Sequence, residues 1–288
     1  MQNHENEYIQ IDELKICYTT TADNLNDLMS IEIGSFIDLF GYRFYRSVSD
    51  RFRLFFEVWD DDEQVAQLKH GLYTNLSDQK QYIYFKISNH VLYQPERLKR
   101  TLELPNKLGF IFNNYTAIDL AIDSTTNFTS LIKRMIRDKA ITTILNGKAV
   151  KDRKQVLRGV IFQYSTSLNR LKYAAITIKQ KKAISNKQHG ITIQAYDKKA
   201  EVEQNSDKHY ILDFYGQPKR LYRLEVRLRY QELKDYFEKS NIMPVIDTMS
   251  NQELLHDMFF YHLAAVLRFT KRRKKLDWPT LINCNGRV

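Results

Sequence analysis

Residues 220–229 read RLYRLEVRLR. Tyr222, Leu224, Val226 and Leu228 fall on one side of an extended chain, and Arg223, Glu225, Arg227 and Arg229 on the other. A period of two is the mark of a β-strand. The apolar side needs a core, and the ionic side needs solvent or a partner for every charge. Working outward, similar short runs occur at 53–59 (RLFFEVW), 81–87 (QYIYFKI), 116–122 (TAIDLAI), 159–164, 171–178 and 190–196. They are rich in β-branched and aromatic residues and are bounded by polar or turn residues.

Helical periods intervene. Residues 129–145 place Leu131, Ile132, Met135, Ile136, Ile141, Ile144 and Leu145 on one face, with Lys133, Arg134, Arg137 and Lys139 opposite and Gly147 as a stop. Ser250 and Glu253 have the spacing of a capping box, which predicts a helix from there to about Arg272. That helix ends in KRRKK at 271–275. The order of strands, basic helix, strands and helices is an α+β pattern, not βαβ alternation. It predicts an antiparallel-rich central sheet flanked by helices. Three regions are expected: an acidic N-terminal region over 1–70, a core over 71–245, and a C-terminal helix with a basic tail over 246–288.

Composition narrows the function. The 288 residues include 44 Lys and Arg against 34 Asp and Glu, a formal net charge of +10. Residues 1–70 hold 6 basic and 14 acidic residues, whereas 131–182 hold 14 basic and 2 acidic. Basic charge this concentrated favours a polyanion, with nucleic acid the commonest. No apolar run is long enough to span a bilayer, and the polar N-terminus lacks a signal-peptide core, so no membrane partner and a cytoplasmic location are expected. Two cysteines, Cys17 and Cys284, make neither a disulfide framework nor a zinc site by themselves. P-loop, GxSxG, HExxH and CxxC patterns are absent, and His256 and His262 lie six apart, which is not a chelating spacing.

The stretch NNYTAIDLAIDSTTNF puts Asp119, Ala121 and Asp123 on one strand face. The two aspartates are separated by roughly 13 Å along a strand. Asp119, flanked by apolar residues, is the better metal ligand; Asp123 is read as a helix cap or groove residue. Glu225 stands among three arginines and has two readings. It pairs with them, or it holds Mg²⁺ or Mn²⁺ while the arginines grip phosphate. His90 is a candidate lone ligand.

The ordered trio AIDLAID (117–123), YDKK (196–199) and RLE (223–225) resembles the pattern of rolling-circle replication initiators, of the plasmid Rep_trans type and the filamentous-phage gene II class. The resemblance covers residues 115–240. It implies a Rep nickase-like fold and a metal-dependent endonuclease that nicks and rejoins one DNA strand through a tyrosine. It also implies origin DNA, single- and double-stranded, as partner, with host helicase and polymerase, and a homodimer as a possible assembly. Tyr173 is the first choice of nucleophile and Tyr164 the second, with Tyr196 third and structural in the family. The family's usual Arg is replaced by Ala117, and its Gly-Ser-Arg beside the nucleophile is missing. These departures fit either a diverged enzyme or a DNA-binding regulator without the chemistry. Contacts to DNA are expected from Lys133, Arg134, Arg137, Lys139, Lys179, Lys181, Lys182, Lys198, Arg223 and Arg227.

Overall fold

A computed structural model describes residues 8–21, 23–72, 81–154, 156, 175–180 and 190–283. Strands predominate early, and the chain divides into two units: Ile11–Ile118 with Phe237–Thr248, and Asp119–Tyr236 with Met1–Gln10 and Met249–Val288. Residues 11–70 group with the chain up to Ile118 and, where described, supply strands to its sheet.

The first unit carries β1 (Gln10–Thr20), α1 (Asp23–Ser30), β2 (Phe36–Leu39), β3 (Tyr42–Arg46), β4 (Phe52–Asp60), β5 (Glu63–Leu72), β6 (Gln81–Ile87) and α2 (Pro95–Lys107). It also takes residues 111–118 of β7 (Ile111–Ser124). The strand order is β7-β1-β6-β5-β4-β3-β2, and the pairs from β1–β6 through β3–β2 are antiparallel. The rows Phe56–Leu68–Phe85–Ile16 and Val58–Ala66–Ile87 are buried. The alternate row Glu57–Gln67–Lys86–Lys15 is polar, so the period-two pattern of the sequence became one packed face. Pro95 starts α2 where its missing N–H costs nothing. Arg97 of α2 bonds Asp60 at 2.9 Å and also Glu63, tying the helix to the β4–β5 turn.

The second unit takes the rest of β7, then α3 (Phe128–Arg137), β8 (Ile141–Leu145), β9 (Lys148–Ala149), β10 (Ala175–Lys179) and β11 (Thr192–Asp197). There follow α4 (Lys198–Asn205), α5 (His209–Phe214), β12 (Tyr222–Arg229), the start of α6 (Tyr230–Ser240), α7 (Gln252–Val266), β13 (Leu267–Lys271), β14 (Lys274–Leu276) and α8 (Trp278–Asn283). One sheet runs β10-β11-β12-β7 and a smaller one β14-β13-β8-β9. The α+β class with a large antiparallel sheet flanked by helices is as the sequence predicts. Helix α3 buries Leu131, Ile132, Met135 and Ile136, each contributing about 1.5–3 kcal/mol by burial. Asn127 caps it by accepting from Ser130 N, and Thr129 Oγ1 donates to Ala195 O of β11.

Three local expectations change. The basic helix ends at Arg137, not Leu145, because the β-branched run Ile141–Thr142–Thr143–Ile144 is better suited to a strand. Gly147 is not its stop. With Asn146 it forms a two-residue hairpin turn with φ of 48° and 78°, the Asn-Gly chemistry such turns prefer. The last long helix stops at Val266 and its cap is Asn251, whose side chain accepts from Leu254 N. KRRKK is thereby released from the helix and becomes the turn of the β13–β14 hairpin. The strand expected at 159–164 lies outside the described residues.

Candidate active site

Strand order places Asp119–Asp123, Tyr196–Asp197 and Arg223–Glu225 on the adjoining strands β7, β11 and β12 of the second unit. Arg223, Glu225 and Arg227 of β12 stand opposite Tyr196, Gln194 and Thr192 of β11, which in turn stand opposite Ala175, Thr177 and Lys179 of β10. On the other side, Arg229 and Arg227 reach Asp119 while Arg223 reaches Asp123. The two strands therefore run in opposite directions, and one face collects the carboxylates, guanidinium groups and tyrosines.

The pairing is specific. Arg223 donates Nε to Asp123 Oδ1 at 2.7 Å and Nη2 to Oδ2 at 2.6 Å, with both side chains 0% exposed. Tyr215 Oη donates to the same Oδ2 at 2.9 Å. Burial, and then the Asp123 charge, push the Tyr215 phenol well above its ordinary pKa. Arg227 Nε lies 2.5 Å from Glu225 Oε1 and 3.4 Å from Asp119 Oδ2. Its burial opposes the charge, but Glu225 and Asp119 outweigh that and hold it firmly protonated. Arg229 Nη1 donates to Asp119 Oδ1 at 2.9 Å. Tyr196 Oη donates to the remaining Glu225 oxygen at 3.0 Å. Among the described residues three carboxylates face three guanidinium groups, so their formal charges balance on this partly buried face. A bare acid or a bare base here would be destabilising.

Asp119 and Glu225 both contact Arg227 Nε, at 3.4 and 2.5 Å, so the two carboxylates flank one guanidinium group. Both are hard oxygen donors, the kind that suits Mg²⁺ or Mn²⁺. His90 sits in the first unit, where its Nε2 is 3.8 Å from Glu63. Among the described residues no group of three or more His, Cys, Asp and Glu side chains is gathered for a metal.

Of the expected DNA contacts, Lys133, Arg134 and Arg137 line one surface recess with Ser130 and Asp138. Lys139 is exposed on the same segment, and Lys179 at the end of β10. Burial, and then Arg137, lower the Lys133 pKa. Lys198 and Arg223 are corrections. Lys198 is 2% exposed and bonds Glu201 at 2.8 Å, while Arg223 is sealed on Asp123, so neither turns its charge to a phosphate. Arg227 remains 35% exposed and keeps that option. Asp123 binds Arg223 and does not cap α3. Tyr173, Tyr164, Lys181 and Lys182 lie outside the described residues. Tyr215 was missed because FYGQ carries no periodic signal; only the turn at Gly216 marks it. Comparison with known proteins finds no matching family model, no matching curated sequence and no matching solved structure.

Proposed function

We propose that the chain is a replication initiator of the rolling-circle kind, from a plasmid or phage, which binds origin DNA and nicks and rejoins one strand through a tyrosine. One observation carries the reading. AIDLAID, YDKK and RLE are distant in sequence, yet Asp119, Tyr196 and Glu225 join one bonded network through Arg227. Motifs that merely packed would not have to share polar partners. The basic recess on α3 supports a phosphate-bearing partner.

In this reading Asp119 and Glu225 would hold Mg²⁺ or Mn²⁺ once Arg227 releases them, and the ion would supply Lewis acidity at the scissile phosphate. Arg227 and Arg229 then face the phosphate and offset its developing charge. Tyr196 keeps Glu225 oriented. Tyr173, or else Tyr164, contributes the nucleophilic oxygen. Its P–O bond forms as the P–O3′ bond breaks, the phenol proton is released, and the freed 3′ oxygen is protonated. The product is a 5′-phosphotyrosyl link and a 3′-OH for priming.

A second reading is a DNA-binding regulator without catalysis. The engagement of both Asp119 and Glu225 by Arg227 favours it, since the same contacts also serve a purely structural network. Incubation with supercoiled DNA and either metal separates the two. A nicked strand bearing covalent protein supports the initiator; tight binding with no adduct under either metal supports the regulator.

A further inference from the structure

The small sheet of the second unit contains two hairpins with two-residue turns. In β8–β9 the turn is Asn146–Gly147, the residues such a turn prefers. In β13–β14 it is Arg272–Arg273, with φ of 49° and 66°. Neither arginine is suited to the left-handed region. Lys271 stands directly opposite Lys274, a like-charge cross-strand pair that opposes hairpin formation. All of Lys271–Lys275 are exposed, and among the described residues none has a carboxylate within ion-pair distance. The base of the hairpin is nevertheless held firmly. Trp278 Nε1 donates to Leu267 O at 2.9 Å, and the Trp278 ring packs on Phe269. An element that is locally unfavourable twice over, yet anchored at its base, points to a role for its tip.

We propose that the β13–β14 hairpin is a ribbon that enters a groove of duplex DNA, with Arg272 and Arg273 at its leading edge. A two-stranded ribbon fits the major groove, and five adjacent cations complement its phosphate walls. The exposed residues of the ribbon are Arg268 and Lys271–Lys275, with no exposed aromatic for stacking unpaired bases. No exposed apolar side chain of the ribbon suits a lipid surface. Lys271 is in register with Ile141, which follows the C-terminus of α3 by four residues. Arg137 and Lys139 therefore lie at the same end of the sheet and are placed to hold an adjoining backbone segment. The inference shares DNA as partner with the reading above, but it needs no nicking chemistry.

The test uses the full chain with Arg272→Asn and Arg273→Gly together. This pair removes both charges and installs the preferred turn, so the thermal midpoint should stay level or rise. Affinity for a short duplex should fall roughly ten-fold at moderate salt, and the slope of log K against log salt should become shallower by roughly 1.8. If that variant does not fold, Lys274→Gln with Lys275→Gln is read instead, with the same change expected. The proposal is overturned by an unchanged slope, by equal loss on a single strand of the same length, by loss only on anionic vesicles, or by a wild-type chain that does not bind duplex. Covalent adduct on a single-stranded oligonucleotide is scored in parallel. Adduct without a ribbon effect removes the ribbon alone; a ribbon effect without adduct removes the nicking reading alone.

Discussion

Arg223 grips both carboxylate oxygens of Asp123, at 2.7 and 2.6 Å, and neither side chain has any exposure. The bond joins β12 to the end of β7 across a hundred residues of chain. Breaking it strands a buried charge. Arg223→Leu or Asp123→Asn should each lower unfolding free energy by about 3–5 kcal/mol, whereas Arg223→Met with Asp123→Leu should cost clearly less than either alone. Urea unfolding of the three variants checks this. A double variant as weak as the summed singles would show that the two residues act independently.

Arg227 Nε sits between Glu225 and Asp119 and competes with any cation there. Arg227→Gln should tighten Mn²⁺ binding severalfold, read from the loss of the free-ion electron paramagnetic resonance signal. Glu225→Gln and Asp119→Asn should each weaken it. Equal Mn²⁺ uptake in all three variants would place the metal elsewhere or remove it from the account.

Lys133, Arg134 and Arg137 line one recess, which the proposed function reads as the phosphate contact of α3. Changing all three to Gln should make the salt slope of DNA binding shallower by roughly 2–3 units and weaken every sequence alike. A change confined to one sequence would instead indicate base contacts.

The strand faces were legible in the sequence, and their partners were not. RLYRLEVRLR and AIDLAID announce alternation, because period two is local. Which arginine meets which aspartate depends on register between strands a hundred residues apart, and no local signal carries that. Tyr215 follows α5, where neither period nor motif marks it. The end of α3 was misread because Ile141 and Ile144 also satisfy a helical period; the β-branched composition decided otherwise. The Arg272–Arg273 turn was unreadable because arginine is not a turn former. The continuous basic run looked like the last turn of a helix, where basic residues are favoured.

His90 offers a pH test in the first unit. Burial is the larger influence and lowers its pKa below the ordinary 6.5, with Glu63 opposing and Arg97 adding to the shift. A depressed histidine favours its neutral form. Its contribution to stability is complete above the unfolded pKa and is lost as pH falls through the folded pKa. The thermal midpoint of wild type should therefore drop between pH 7 and pH 5 more than that of His90→Gln. Parallel curves for the two proteins would show that His90 is not a source of the pH dependence.

The most direct test of the central claim is covalent capture of the tyrosine. Wild-type chain, Tyr173→Phe and Tyr164→Phe are each incubated with Mn²⁺ and supercoiled DNA carrying the cognate origin, then resolved on a denaturing gel before and after protease. The account predicts a nicked strand retarded by attached protein in wild type, released by protease and lost in Tyr173→Phe. Persistence in Tyr173→Phe with loss in Tyr164→Phe moves the nucleophile and keeps the enzyme. Absence of any adduct in wild type, with DNA bound tightly, would contradict the account and leave a DNA-binding regulator.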